Sequence, residues 1–464
     1  MDIIIIILPL LLLMFVAYRG FSVILFAPIA ALLAVLLTNP DWVPVFFSSI
    51  FMEKMAGFVK LYFPVFLLGA IFGKVIEMSG FAKSITQSII QLIGDGKAIF
   101  AIVFVGAILT YGGVSLFVVA FALYPFASEL FKAADIPKRL IPGTIALGAF
   151  TFTMDALPGS PQIQNIIPTS FFNTDTWAAP WLGLIGSIFI FTVGMSYLEW
   201  QRRKAASKGE GYGSNHINEP EETGEIRLPN PLLAILPLAL VAVCNKLFTV
   251  GIAAHYGKTF DFSAIGLGDI PSVEISKLTG IWAVEGALVV GILTVLVFAF
   301  KKVKANFTAG INLSIGGALL ATLNTASEYG FGGVIAALPG FATINSKLGT
   351  AIQDPLVNEA VTTTALSGIT GSASGGMSIA LAAMGETYLA KARELGIEPE
   401  VLHRVASMAS GGMDTLPHNG AVITLLAITG LTHKQSYVDI FAMTLIKTLA
   451  VFLVIAIYYL TGIV

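Results

Sequence analysis

The sequence is poor in charged residues and in the side chains that most enzymes use. Only 12% of its 464 residues are charged and 56% are hydrophobic. Soluble proteins average about 25% charged residues. The single cysteine, Cys244, excludes an internal disulfide and cysteine–metal chemistry. A formal net charge of −2 without a basic tract gives no sign of nucleic-acid binding. We therefore expect an all-α polytopic membrane protein that uses no cofactor and no metal.

Long polar stretches are also missing, so no soluble domain is expected. The only linker is 201–230, and a domain usually needs about 50 residues or more. A helix that crosses a bilayer needs about 17–25 apolar residues. Two candidate segments, 140–172 and 402–431, are interrupted by prolines. Uninterrupted apolar runs lie near residues 3–18, 21–38, 61–79, 180–199, 231–252, 279–300, 316–338 and 437–460.

The two halves of the chain carry the same motifs in the same order. The copies are separated by 259, 263 and 259 residues, so the halves align with only small gaps. Three matches in register indicate an internal duplication. They are "FGKVIEMSGFA" (72–82) with "FGGVIAALPGFA" (331–342), the Gly-Gly-x-Ser cores at 112–115 and 375–378, and the Met-Asp-x-Leu-Pro frames at 154–158 and 413–417.

Basic residues predict that the duplication is inverted. Lys and Arg collect in cytoplasmic loops, which places "RRKAASK" (202–208) and "KKVK" (301–304) inside. If each half has about five spans plus a re-entrant hairpin and a broken helix, the odd number of crossings reverses the second half. The N-terminus is then outside. We expect a first repeat over 1–200, a cytoplasmic linker over 201–230 and an inverted second repeat over 231–464.

Inverted repeats are typical of secondary transporters, which bind substrate and coupling ions near the membrane midplane at broken helices. Non-helical backbone is tolerated at that depth only where it is buried in protein or lines a cavity. Four breaks are therefore predicted to converge. They are Gly112–Ser115, Asp155–Pro161, Ser372–Ser378 and Asp414–Gly420.

The Gly-Gly-x-Ser cores predict two hairpin tips. Glycines let backbone N–H groups face a ligand, and the following helix begins with its positive dipole end at the same point, which suits an anionic substrate. The alternative is that the glycines allow close helix packing. The candidate substrate-binding residues are Gly112, Gly113 and Ser115 in the first half, and Ser372, Ser374, Gly375, Gly376 and Ser378 in the second.

Asp155 and Asp414 each lie inside an apolar segment. Acids within a membrane mark proton relays or ion pathways by default, so both are candidates for proton coupling. The alternative is that each carboxylate caps a broken helix. His418 lies beside the second frame, where the first half has Gly159, and is either functional or a plain hydrogen-bonding residue.

Other polar residues lie near the breaks or in the spans. Ser160, Gln162, Asn165 and Asn419 are further candidates for substrate binding, or they join helices by hydrogen bonds. Glu328 and Lys447 lie midway along their spans, so they would pair with each other or join a proton path; Glu285 is a third intramembrane charge.

The pattern resembles the gluconate permease (GntP) family of the ion transporter superfamily. The resemblance rests on "FGKVIEMSGFAKSI" (72–85), the Gly-Gly hairpin, "LPGSPQIQNIIPTSFFNTD" (157–175) and "LPHNGAVITLL" (416–426), and it extends across nearly the whole chain. It implies proton symport of small organic acids. It also implies a scaffold domain and a moving transport domain with two hairpins, usually in a homodimer with elevator-type motion.

The chain departs from that family at one place. Gluconate carriers have His-Gly-x-Leu-Pro-Pro-His-Pro-Gly-Pro where this chain has "MDALPGSPQ" (154–162). The departure favours a smaller monocarboxylate, for example 3-hydroxybutyrate, over gluconate.

The leading hypothesis is proton-coupled symport of a small organic anion across a bacterial inner membrane. The alternative is sodium-coupled carboxylate transport by the same fold, because two near-symmetric acid sites also suit sodium. An enzyme is not expected, since zinc-protease spacing and a Gly-x-Ser-x-Gly elbow are missing from the sequence. A channel is not expected either, because a channel rarely needs two re-entrant hairpin tips with acids in inverted halves.

Overall fold

The computed structural model describes residues 2–19, 21–93, 97–214, 216–220, 228–267, 269–341, 343, 351–413, 415–417 and 419–464. The described part is almost entirely helical, which confirms the all-α prediction. One short antiparallel β-hairpin is the exception, formed by β1 (Thr259–Phe260) and β2 (Val273–Glu274). In an apolar medium a helix pairs its backbone groups within one segment, so apolar sequence of this length favours helices.

The helices of the first half follow the order that the sequence predicts. They are α1 (Asp2–Tyr18), α2 (Val23–Thr38), α3 (Val43–Phe46), α4 (Met52–Met78), α5 (Phe81–Ile93), α6 (Ala98–Tyr111), α7 (Leu116–Ala133), α8 (Ile141–Ala149), α9 (Phe152–Asp155), α10 (Ile163–Phe172) and α11 (Pro180–Ser207).

The second half repeats the order of the long helices, the hairpin and the broken helix among the described residues. Its helices are α12 (Pro231–Tyr256), α13 (Thr279–Ala305), α14 (Phe307–Ala337), α15 (Pro355–Thr370), α16 (Ala373–Leu395), α17 (Pro399–Gly412), α18 (Gly420–Thr429) and α19 (His433–Thr461).

Six described helical segments are long and apolar enough to cross a membrane. One is the continuous segment Pro40–Met78, which ends in α4, and the others are α11, α12, α13, α14 and α19. The chain is therefore polytopic. The shorter pairs α6–α7 and α15–α16 form the two predicted hairpins, and α8–α10 and α17–α18 form the two predicted broken helices.

Packing between repeat-related helices shows that the duplication is inverted. α4 and α14 carry the first matched motif. Gly310, near the start of α14, packs against Met78 at the end of α4, whereas Gly330 packs against Phe51, just before α4. The two helices therefore run antiparallel, although their sequences align in the same direction.

The second related pair, α11 and α19, behaves in the same way. Gly186, near the start of α11, lies against Val454, whereas the Tyr197 hydroxyl, further along, donates a hydrogen bond to Asp439 near the start of α19. The opposite orientation of the two halves is thus visible in two independent helix pairs.

Loop contacts collect at two opposite ends of the molecule. At one end, the Ser84 hydroxyl bonds Pro229 O at 2.7 Å, and the Ser436 hydroxyl bonds Arg139 O at 2.6 Å. The basic segments that the sequence places inside belong to this end, which we call the basic end. At the other end Asp175 packs against Gly280.

The structure corrects the position of one break. The second hairpin was expected to turn over Ser372–Ser378, but α15 ends at Thr370, the capping residue Gly371 has a left-handed φ of 68°, and α16 begins at Ala373. The Ser372 hydroxyl accepts a hydrogen bond from Gly375 N at 3.0 Å and so caps α16. Gly375, Gly376 and Ser378 therefore lie inside the helix and not in the turn.

Candidate functional site

The first hairpin tip rests on the first broken helix. Gly113, with a φ of 93°, forms the turn between α6 and α7 and lies against Pro161. The Gln162 amide donates to Thr110 O at 2.8 Å, and the Tyr111 hydroxyl donates to Pro158 O at 2.9 Å. These two bonds connect the hairpin tip to the first broken helix.

The second hairpin tip rests on the second broken helix in a similar way. The Asn419 amide donates to Gly371 O at 2.9 Å, and its carbonyl oxygen accepts from Ala421 N at 2.7 Å, which caps α18. Two further candidates of this break, Asp414 and His418, lie outside the described residues. Each half thus joins its own hairpin tip to its own broken helix.

Asp155, at the end of α9, forms a buried ion pair with Lys447 of α19. Lys447 Nζ lies 3.0 Å from Asp155 Oδ2, both side chains are 1% exposed, and Nζ also donates to Phe150 O at 2.7 Å. A β-carbon on Gly411 would overlap Asp155 Oδ2, so the glycine leaves room for the carboxylate. Lys447 pairs with Asp155 and not with Glu328, contrary to one of the sequence interpretations.

Arg404 is a central residue that the sequence interpretation missed. It is fully buried in α17. Its guanidinium donates to Ala178 O at 2.7 Å, to Asp155 O at 3.2 Å and to Asn165 Oδ1 at 3.1 Å. Neutral oxygens accept these hydrogen bonds, and the carboxylates of Asp155 and Asp175 act on the charge of Arg404 through space.

His403 adds to the same cluster. One ring nitrogen lies 2.7 Å from the Thr174 hydroxyl and the other 3.2 Å from Asn165 Oδ1. The signal in the sequence was the pair His403-Arg404 at the start of an interrupted apolar segment, where basic residues normally reach the interface. Here α10 and α17 pack on one another and bury both.

The remaining candidate residues of the first break form hydrogen bonds with its backbone. The Ser160 hydroxyl donates to Thr153 O at 2.6 Å, and the Asn165 amide donates to Ser160 O and Thr176 O at 2.9 and 2.8 Å. Ser115 is the half-buried residue before α7, and its side chain makes no cap bond. Gly112 packs against Leu238 of α12.

The candidates of the second tip lie along the first turns of α16. The Ser374 hydroxyl is 3.3 Å from the Thr325 hydroxyl of α14, Gly376 packs on the backbone of Ser367, and Ser378 is completely buried. The two tips, 110–115 and 370–378, share no hydrogen bond among the described residues.

A cavity of about 410 Å³ opens at the end of the molecule opposite the basic end. Lys246 stands over the Trp177 ring at 4.9 Å in its wall. The wall also includes Thr174 and Ala178, which bond His403 and Arg404. The cavity therefore reaches the partners of the buried basic cluster. Its polar lining includes Asn173, Asp175, Ser276 and Glu400.

Three comparisons with known proteins complete the description. No family model matches the chain. The sequence is 64% identical over 472 residues to the uncharacterized transporter YxjC of Bacillus subtilis strain 168, and the match covers 100% of both chains. The crystal structure of the Alcanivorax borkumensis YdaH transporter is similar with a TM-score of 0.49 and 16% identity, covering 92% of this chain and 90% of that one. The chain belongs to the family of membrane transporters that includes YxjC.

Proposed function

We propose that the protein is a secondary active transporter that moves a small organic acid anion together with protons. The observation that carries this proposal is the inverted repeat, in which each half joins a hairpin tip to a broken helix. Transporters bind substrate and coupling ions where discontinuous helices meet at the repeat interface. The motif resemblance to the gluconate permease family supports the same class of substrate.

An anionic substrate suits the charge of the described site. Arg404 lies at the repeat interface, where three neutral oxygens accept hydrogen bonds from its guanidinium. The amino ends of α7 and α16 add positive dipole ends at the two tips. We propose that the substrate carboxylate binds at these tips, with Ser115 and Ser374 as donors, and that short hydroxy acids such as 3-hydroxybutyrate fit better than gluconate.

Asp155 and Asp414 are the proposed carriers of the coupling proton. For Asp155 the proton would replace Lys447 as partner, so proton binding would loosen the contact between α9 and α19. Such a change at a break fits elevator-type movement of the hairpins and broken helices against the long spans. A homodimer in a bacterial inner membrane, with the linker cytoplasmic and the N-terminus outside, completes the proposal.

Uptake by purified protein in proteoliposomes tests the function. Labelled 3-hydroxybutyrate and gluconate are offered with an inward proton gradient, an inward sodium gradient or neither. We expect uptake to follow the proton gradient. Uptake that follows only the sodium gradient would establish the alternative, a sodium-coupled carrier.

Two variants test the assigned carriers. Asp155→Asn and Asp414→Asn are each expected to weaken uptake that the proton gradient drives. Wild-type coupling in both variants would remove these two acids from the proton pathway.

A further inference from the structure

Glu328 is a buried acid in the middle of α14. Its side chain is 2% exposed, and its Oε2 atom has no hydrogen-bond partner among the described residues. Ionised carboxylates are seldom buried without a partner, because desolvation of the charge is costly. An acid in this position within a membrane protein needs a functional explanation.

The carboxyl group points into the first turn of α16, at the second hairpin tip. A β-carbon on Gly375 would overlap Glu328 Oε2, so this glycine provides the space that the acid occupies. One turn earlier on α14, the Thr325 hydroxyl lies 3.3 Å from the Ser374 hydroxyl. The first amides of a helix have no intrahelical acceptor and carry the positive end of its dipole. Glu328 thus lies where the proposed substrate carboxylate would bind.

No cation neutralises Glu328 in the described structure. Of the helices packed against α14, α2 has no charged residue, and α4 carries Glu53, Lys54 and Lys60 near this level, all of them exposed. Lys54 packs against Gly333, more than one turn beyond Glu328. The charged residues of α16 begin at Glu386, about three turns past Gly375. None of these groups forms an ion pair with Glu328.

The first half has no equivalent acid. The matched motifs of α4 and α14 begin at Phe72 and Phe331, and the same alignment places Gly69 opposite Glu328. The two hairpin tips therefore differ: one has an acid against its helix, and the other does not. A single such acid would provide one site for each protein chain.

We propose that Glu328 is a proton-coupling residue, and that its carboxylate and the substrate carboxylate compete for the amino end of α16. In the substrate-free state the side chain occupies this positive end, and the dipole of α16 compensates the charge of its ionised form. When substrate arrives, Glu328 takes up one proton from water and leaves as a neutral acid, because two adjacent carboxylates cannot both stay ionised at low cost. Release of the substrate on the other side returns the carboxylate to α16 and the proton to water. This inference rests on the proposed function and assigns a step of the transport cycle to the second hairpin.

Glu328→Gln separates coupling from binding. In wild-type proteoliposomes, an inward gradient of one pH unit should accumulate 3-hydroxybutyrate or gluconate up to about tenfold for one proton per anion. In Glu328→Gln the accumulation should fall by up to about tenfold, which is the share of one proton, while counterflow of labelled against unlabelled substrate continues. Glu285→Gln, which removes a half-buried acid from α13, is the matched control and should accumulate substrate like the wild type.

A second measurement does not depend on transport. Substrate added to detergent-solubilised protein in weak buffer should cause the wild type to take up about one proton more than Glu328→Gln. Wild-type accumulation in Glu328→Gln would overturn the proposal. Loss of counterflow in a variant with the wild-type melting temperature would also overturn it, because Glu328 would then hold substrate or structure. If the wild type itself ignores the proton gradient, the proposed function fails first.

Discussion

At the scale of single residues, the centre of the molecule contains buried charged side chains that are fixed by specific partners. Asp155 has Lys447 as its partner, whereas Arg404 is held by three neutral oxygens. A buried ion pair contributes little net stability, because desolvation of both charges offsets their attraction. Removing one partner is costly, since the other charge stays buried. The pair therefore links α9 to α19 in a way that a single proton can change.

Replacement of Lys447 tests how strongly this pair holds the break. Lys447→Met leaves Asp155 buried opposite an apolar side chain, so we expect the free energy of unfolding to fall by about 3–5 kcal/mol. The double variant Asp155→Asn/Lys447→Met should recover most of the loss. Thermal unfolding in detergent measures both effects.

Lys434→Gln is the control for this experiment, because Lys434 is an exposed lysine of the same helix. It should unfold at the wild-type temperature. Equal stability of Lys447→Met and the wild type would show that the ion pair does not hold the break.

At the scale of helices, the sequence predicted the elements better than their ends. Apolar length and the repeated motifs were enough for six of the eight predicted spans, the hairpins and the broken helices, whereas α1 and α2, at the predicted spans 3–18 and 21–38, are shorter helices. The second tip was placed too late, because "GSASGG" (371–376) offers three glycines and only one ends the helix. The capping bond from Gly375 N to the Ser372 hydroxyl selects Gly371, and sequence alone does not rank such bonds.

Only part of the candidate site was predicted, because side-chain partners, like helix ends, depend on contacts that the sequence does not rank. Motif symmetry identified the residues at the breaks, including Gln162 and Asn419, which join each tip to its break. It did not identify Arg404, since nothing in the first half matches it and a basic residue near a span end is usually interfacial. Which acid forms the ion pair with Lys447 also depended on packing between helices that are far apart in the sequence.

The segment after α11 shows how a loop is fixed to the basic end. Lys138, which is 1% exposed, donates to Glu219 at 2.7 Å and to Ile217 O at 2.9 Å. The Asn218 amide donates to Ala427 O at 2.9 Å, so the segment touches both halves. The part of the linker around residues 217–219 is thus packed against the helices.

The Glu219 contact predicts a pH-dependent contribution to stability. Burial raises the pKa of Glu219, but hydrogen bonds from Lys138 and Tyr212 outweigh it and hold the pKa below its ordinary value. A lowered pKa stabilises the fold above the unfolded-state value of about 4.3 and loses that contribution as the pH falls through the folded-state value. Glu219→Gln should therefore melt below the wild type at pH 7, and the gap should close under acid conditions.

Melting curves between pH 7.5 and pH 3.5 in detergent measure this gap. Glu394→Gln, at an exposed position near the end of α16, is the control and should show no gap at any pH. A gap for Glu219→Gln that stays constant over the whole range would contradict the role of the ionised carboxylate.

At the scale of the whole molecule, the antiparallel pairs α4–α14 and α11–α19 fix how the halves face each other. These helix pairs alone do not show which end of the molecule faces the cytoplasm. The loops at the two ends decide this. The basic end holds most of the Lys and Arg residues of the loops, which by charge bias belongs in the cytoplasm. Ser207 and Ala305 are exposed at this end, and Asp269 and Glu398 are exposed at the other.

Single cysteines at these four positions test the arrangement in intact cells. Cys244 is first replaced by serine, which leaves a background without thiols. A membrane-impermeant maleimide should label Asp269→Cys and Glu398→Cys from outside, and should label Ser207→Cys and Ala305→Cys only after the membrane is permeabilised. These four results together follow from single crossings by α12, α13 and α14. The reversed pattern would keep the inverted fold but turn the molecule over in the membrane. Labelling of Asp269→Cys and Ser207→Cys from the same side would require an even number of crossings between them, and would contradict the single span α12.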